Sequence, residues 1–333
     1  PNPATETWRQ LRLLGSNVKL MRAALGIAFF WMLASLANLN IDTYGITELK
    51  LEQQQIGLLM GTLVAGLGIG SVLAGVLSGG KVELGLVPLG AIGSASITLL
   101  LCVVGNRVDP VAATTSTQAY FWSSVLLLCL GFGAGFFNIP LEAYIQEKSD
   151  VQHRGSILAA SNFVSFSLIL SASGLFLVMN GWLKMSASQI FLAAGLGTIP
   201  VVIYVLALLP GATLRFVVWL ASHTVYRVRV YGDENLPKEG GALIVANHVS
   251  WLDGVFLLLV SSRPIRMIAY APYVNVWGVR WLAKVFGVIP IDSGGNRGKA
   301  IVRSLKTARE AVAAGELVCI FADGQQITRK GVK

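Results

Sequence analysis

The chain has 333 residues, 54% apolar and only 13% charged, against about 25% charged in an ordinary soluble domain, which excludes a single water-soluble globule. Its net charge of +9 is unevenly placed: residues 1–211 hold 10 Lys and Arg against 9 Asp and Glu, whereas 212–333 hold 16 against 8. A nearly neutral membrane part is therefore joined to a basic soluble part whose charge suits anionic lipid; no aromatic-basic stacking pattern points to nucleic acid.

Residues 1–20 form a basic lead-in with no visible signal peptide. The chain opens Pro-Asn-Pro without an initiator Met, so the expectation is a fragment of something longer. Six apolar segments follow, near 21–41, 54–78, 85–105, 120–145, 155–180 and 189–209, each sufficient for a hydrocarbon core of about 30 Å, which needs about 20 helical residues. Arg9, Arg12, Lys19 and Arg22 precede the first span, Lys81 follows the second, and Lys148 and Arg154 follow the fourth. The opposite loops offer only Lys50, Arg107 and Lys184, so the positive-inside rule predicts that both ends face the cytoplasm.

Small residues recur at four-residue spacing in Gly57/Gly61, Gly66/Gly70 and Gly131/Gly135, which lets helix backbones approach closely and implies a packed bundle. Polar residues inside the spans are candidates for a transport path, and Asn138, Glu142 and Asn162 are the ones to watch. Glu142 follows Pro140 near the predicted cytoplasmic end of span four, where headgroup level is an equally good home. Structural hydrogen bonding would equally explain the two Asn residues. The three cysteines, Cys102, Cys129 and Cys319, are isolated, giving neither a disulfide framework nor a metal motif.

After Pro210-Gly211 the composition shifts. Residues 211–224 carry an apolar stretch too short to span, bounded by basic residues, and should lie along the membrane interface. From 225 onward the pattern is soluble α/β. Strands are predicted at 226–230, 242–246, 265–270, 288–292 and 317–321. Helices are predicted at 251–260 and about 298–314, the latter with Ile301, Leu305, Ala308 and Val312 along one side.

Between strand 242–246 and helix 251–260 lies Ala-Asn-His-Val-Ser-Trp-Leu-Asp, with His248 five residues before Asp253. An alcohol is a poor nucleophile until its proton can leave, and an imidazole, ordinarily titrating near pH 6.5, suits that task. Asp253 would hold the other ring nitrogen and stabilise the imidazolium. Five residues turn about 140° away from each other on a continuous helix, so the pair meets only if His248 precedes the helix. Ser250 and Asp253 also match a helix-capping box, which would give Asp253 a purely local job; the two roles are compatible.

Two family resemblances rest on these residues. The six spans, with Ala74-Gly-Val-Leu-Ser-Gly-Gly-Lys81 and His153-Arg-Gly-Ser-Ile-Leu-Ala-Ala160, resemble the second half of a major facilitator transporter, in its lysophospholipid-transporting branch. Residues from about 213 resemble the glycerolipid acyltransferases: His248 to Asp253 as first block, Gly287-Val-Ile-Pro-Ile-Asp-Ser293 as second, Phe321-Ala-Asp-Gly324 as third. The tail Gln325-Gln-Ile-Thr-Arg-Lys-Gly331 is similar to that of 2-acylglycerophosphoethanolamine acyltransferases, members of which are fused to such a transporter. The implied fold is an all-α six-helix membrane bundle, half of a major facilitator fold, followed by a cytoplasmic α/β acyltransferase domain at 225–333, incomplete at its C-terminus.

The resemblance implies His248 and Asp253 as catalytic residues and Asp292, Arg297, Asp323 and Gly324 as acceptor-binding ones. Ser293 stands where many members have Arg, with Arg297 in a Gly-rich turn as the substitute cation; Ala322 and Asp323 replace Pro and Glu. It further implies an acyl thioester of acyl carrier protein or CoA as co-substrate, no bound cofactor or metal, a lysophospholipid acceptor, and a multi-pass place in a bacterial-type inner membrane. The departures at 293, 322 and 323 leave open a transporter whose C-terminal domain is a non-catalytic lipid-docking module. A third reading makes the helices a simple anchor.

Overall fold

A computed structural model describes residues 2–106, 113–225, 228–250, 252–261, 263–291 and 297–321. The chain divides into two compact units, Pro1–Thr213 and Leu214–Lys333.

The first unit is all helical. Helix α1 (Pro3–Ser16) is capped by the Asn2 side chain, with Pro3 at its first position, where a missing N–H costs nothing. It is followed by α2 (Val18–Thr47), α3 (Gln53–Ser78), α4 (Leu86–Gly105), α5 (Ala113–Lys148), α6 (Arg154–Phe176, continued by a π-helical turn, Leu177–Trp182) and α7 (Ala187–Leu208). Among the described residues six helices, α2 to α7, are long and apolar enough to cross a membrane. They carry apolar residues all round, as spanning helices must.

Helix α5 is the centre of the packing. Its Gly131 and Gly135 lie against the backbone of α3 at Leu63 and Ser71, while Gly66 and Gly70 of α3 meet the Leu128 and Phe132 carbonyls of α5; a β-carbon at any of the four would collide with main chain. Gly90 of α4 makes the same approach to Gly133 and Phe137. This is close packing through small residues, the chief source of helix association where no water drives it. The equally spaced Gly57 and Gly61 correct the expectation of uniform use: no atom would lie within 4 Å of a β-carbon there. Both lie exposed on α3.

Helix α8 (Pro210–Val225) runs across the unit boundary. In the second unit come β1 (Ala242–Ala246), α9 (Asp253–Val260), β2 (Ile265–Tyr270), α10 (Ala271–Val274), α11 (Val279–Val285), β3 (Ile289–Ile291), α12 (Arg297–Ala313) and β4 (Leu317–Phe321). The four strands form one parallel sheet in the order β1-β4-β2-β3, with Ala246 opposite Phe321 and Ile265 opposite Leu317. One face packs Val318, Ile268 and Ile289 on Ala308 and Ala311 of α12, and the other packs Leu317, Cys319 and Met267 with Leu257 of α9. Helices on both faces are what a parallel sheet requires. The strand expected at 226–230 is not realised in its described part, 228–230. An alternating pattern makes a strand only where a ladder partner exists, and these residues have none among the described residues.

Candidate active site

Because all four strands are parallel, their carboxyl ends share one edge, the usual place for chemistry in an open α/β sheet. Chain leaving β1 at Ala246 turns over this edge and delivers His248 before α9 begins at Asp253. His248 Nδ1 lies 3.1 Å from Asp253 Oδ2, and both side chains are about three-quarters buried. The same oxygen accepts the backbone N–H groups of Val249 (2.7 Å) and Ser250 (2.8 Å). His248, Val249 and Ser250 are thus gathered around one carboxylate.

The capping role is present too, in modified form. Asp253 reaches back to the Ser250 N–H as a capping box requires, but the Ser250 hydroxyl accepts from Leu252 N–H (3.2 Å), and Asp253 N–H bonds the Ser250 carbonyl. One side chain therefore serves loop and ring together.

Burial is the largest single influence on the Asp253 carboxyl and opposes its ionisation. The two backbone N–H groups and the His248 ring together outweigh it and hold the carboxyl below its ordinary range. An ionised carboxylate can only accept, so the Nδ1 proton belongs to the ring and donates to Asp253, which leaves the proton-accepting lone pair on Nε2.

Phe321, the last residue of β4, completes the setting: its ring stacks on the His248 imidazole with centroids 4.4 Å apart and planes 29° from parallel. The imidazole is held in its plane by an aromatic face and along its edge by a carboxylate. Cys319, two residues earlier on β4, is no rival nucleophile, since burial pushes its thiol up to about 11. Among the described residues no three His, Cys, Asp or Glu side chains gather as a metal set.

Asp292, Asp323 and Gly324 lie outside the described residues. Arg297 is the first residue of α12 rather than part of a turn. Two other cations are structural: Arg263 donates to the carbonyls of Pro237, Gly240 and Gly315, and Arg266 to the Gly287 carbonyl (2.8 Å) and Glu316 (2.7 Å). They tie the amino edge of the sheet together, away from the edge that carries His248.

The helical unit contains a partly open cavity of about 340 Å³, bordered by Phe30, Trp31, Leu67, Thr98, Ala134 and Phe191 among others. Neither Asn138, Glu142 nor Asn162 lines it. Asn138 is buried on α5 and its Oδ1 has no partner among the described residues; Glu142, one turn on, is half-buried; Asn162 is exposed on α6. The structure does not bring these three together as one site.

A polar cluster that sequence reasoning missed joins α2 to α5 and to the start of α7. Asn40 Nδ2 donates to the Ala187 carbonyl (2.9 Å), Tyr44 pairs with Ser123 (3.0 Å), and the Glu48 carboxylate accepts the Ser188 N–H (2.7 Å) and its hydroxyl. The signal was present as Asn40, Tyr44 and Glu48 at four-residue spacing, one stripe on one helix.

Comparison with known proteins fits both units. The Major Facilitator Superfamily model matches residues 1–174, and the Acyltransferase model matches residues 227–332. Similar curated proteins include the 1-acyl-sn-glycerol-3-phosphate acyltransferase of Borreliella burgdorferi, 27% identical over 34% of this chain and 43% of the relative. That of Bacillus subtilis is 34% identical over 29% and 47%, and an uncharacterised Mycobacterium leprae protein is 32% identical over 30% and 26%. The chain spans less than half the length of each of these relatives. No solved structure matches it. By the extent of the first match the chain belongs to the Major Facilitator Superfamily, with an acyltransferase domain fused behind its membrane helices.

Proposed function

We propose that this protein re-acylates a lysophospholipid that its facilitator-type helices handle, using an acyl thioester of acyl carrier protein or CoA as donor. The observation that carries the reading is the His248–Asp253 pair, with its tautomer fixed and its ring seated on Phe321.

In this reading His248 Nε2 takes the proton from the acceptor's free glycerol hydroxyl as that oxygen attacks the thioester carbonyl. Asp253 stabilises the imidazolium that forms. The tetrahedral oxyanion collapses, the carbon–sulfur bond breaks, and the departing thiolate takes the proton from the imidazolium. One ester forms, one thioester is lost, and the base returns neutral.

The curated relatives named as acyltransferases act, by their names, on 1-acyl-sn-glycerol-3-phosphate, which supports a glycerolipid acceptor here. The second and third motif blocks supply the acceptor contacts through Asp292, Arg297, Asp323 and Gly324. Arg9, Arg12, Lys19, Arg22, Lys81, Lys148 and Arg154 favour the cytoplasm for both ends. The bacterial source of all three relatives favours a bacterial inner membrane.

The test uses membranes carrying the full-length protein, lysophosphatidylethanolamine and a labelled acyl thioester. Transfer by the parent should fall by about 10² to 10⁴ in His248→Ala, with unchanged membrane insertion. Transfer unaffected by the substitution would overturn the base assignment. A parent that moves lysolipid without consuming thioester would instead make the C-terminal unit a docking module.

A further inference from the structure

Between Asp253 and Asp292 the chain runs 38 residues without a single acidic side chain, yet includes Arg263, Arg266, Arg280 and Lys284. In its middle, α10, the turn after it and α11 expose an almost continuous apolar and aromatic surface: Trp277 is 97% exposed and Trp281 59%, flanked by Tyr273, Val276 and Val279, all exposed. Gly278, at φ +87°, sets the turn that leaves Trp277 outside. A water-facing surface has no use for two such exposed indoles four residues apart, and soluble proteins rarely expose apolar patches of this kind.

We propose that residues 272–284 are a membrane-docking surface that seats the C-terminal unit in the lipid–water interface of the bilayer its own helices span. Three observations select lipid as the occupant. The composition, Trp and Tyr interleaved with Val and edged by Arg280 and Lys284, is that of the interfacial belt, where indoles sit at headgroup level and basic residues meet lipid phosphate. The charge is complementary to anionic lipid, since both cations stand in an acid-free stretch of a segment carrying net +8. The patch is also covalently tied to six membrane-capable helices, so a bilayer is always within reach.

The topology gives the docking a consequence. Helix α10 starts at Ala271, directly after the carboxyl end of β2, on the sheet edge that carries His248 and Phe321. The docked surface therefore begins, at α10, on the edge that offers His248 to a lipid acceptor, and runs through α11 back toward the amino edge, where β3 starts. The docking itself does not depend on the acyl-transfer reading.

The experiment uses the full-length chain reconstituted in phosphatidylcholine vesicles with and without phosphatidylglycerol. Cys129 is replaced by Ser, because Cys102 and Cys319 are buried and do not label. An environment-sensitive fluorophore is placed by Trp277→Cys or, separately, Trp281→Cys, with exposed Arg309→Cys on α12 as the control. Labels at 277 and 281 should shift to the blue and lose at least half their emission to nitroxide-bearing lipid, while the control at 309 changes little. Arg280→Glu with Lys284→Glu should weaken the quenching on phosphatidylglycerol vesicles. Labels at 277 and 281 that stay water-like in folded protein would overturn the proposal. A blue shift without quenching by lipid would overturn it too, by showing that protein covers the patch.

Discussion

The ring of Phe321 lies face to face with the imidazole of His248, 4.4 Å between centroids, although the two residues are separated by 73 positions in the chain. The pairing of β1 with β4, which sets Ala246 opposite Phe321, brings them together. A stacked aromatic pair contributes about 0.5–1.5 kcal/mol beyond simple burial. Here that contribution fixes the plane of the imidazole. Phe321→Leu, which keeps an apolar side chain and removes the flat face, should lower kcat up to about tenfold. KM for the thioester should change little and the unit should stay folded. Steady-state kinetics alongside a protease-resistance profile checks this; unchanged kcat would show that the Asp253 contact alone orients the ring.

Asp253 has the stronger predicted effect, because one oxygen holds the ring nitrogen and two backbone N–H groups. Asp253→Asn replaces an acceptor by a group that can present its NH₂ to the ring and favour the wrong tautomer. Loss of such a partner has cost about 10⁴ in kcat in a Ser-His-Asp triad, and a fall of roughly 10³ or more is expected here. Acid sensitivity follows with a definite sign. The folded carboxyl lies below its ordinary value, so its stabilisation is fully present above about pH 4, the unfolded range. That stabilisation is lost as the pH falls through the folded value. Protease accessibility of the 248–253 loop should therefore stay flat from pH 8 to about pH 5 and rise only in stronger acid. In Asp253→Asn that acid-induced rise should be absent.

The helix bundle separates two glycine pairs that look alike in sequence. Gly66 and Gly70 meet the backbone of α5, whereas Gly57 and Gly61 have open space around them. Gly66→Ala must push α3 from α5, a rigid backbone that cannot yield as a side chain would, and should lower the thermal midpoint in detergent by several degrees. Gly57→Ala meets nothing, and Ala is the better helix former by about 1 kcal/mol, so its midpoint should hold or rise. Thermal size-exclusion profiles of the two variants, run side by side, decide the matter. Equal losses would mean that spacing, not contact, sets the cost.

These contrasts show what the sequence carried and what it did not. His248 and Asp253 were legible because their relationship is local: a strand, a tight loop and a helix start fix it within a few residues. Hydropathy located the six helices for an equally simple reason, since bilayer thickness dictates their length. The Phe321 stack was invisible because it depends on strand order and register, β4 lying between β1 and β2. Which glycines pack was unreadable for the same reason, as spacing along α3 gives a face but not the neighbour. At 228–230 a good alternating pattern found no ladder partner among the described residues.

The contact between Glu48 and Ser188 supplies the last prediction. Glu48 ends α2 and its carboxylate accepts both the backbone N–H and the hydroxyl of Ser188, one of the first residues of α7. An acidic group at a helix N-terminus satisfies N–H donors that the helix cannot satisfy itself and meets the positive end of its dipole. Asn40 adds a second tie to the Ala187 carbonyl, so the turn before α7 is held from one stripe of α2. Ser188→Ala removes a hydroxyl but leaves the backbone donor paired, and should cost about 1 kcal/mol. Glu48→Ala leaves the N–H and the buried hydroxyl both without their acceptor, and should cost about 2–3 kcal/mol. If the two side chains act together, the double variant will be less damaged than the sum of the singles, by about 0.5 kcal/mol or more. Chemical unfolding in detergent, followed by intrinsic fluorescence, measures all four corners of the cycle. Strict additivity would mean that Glu48 stabilises α7 through the backbone N–H alone.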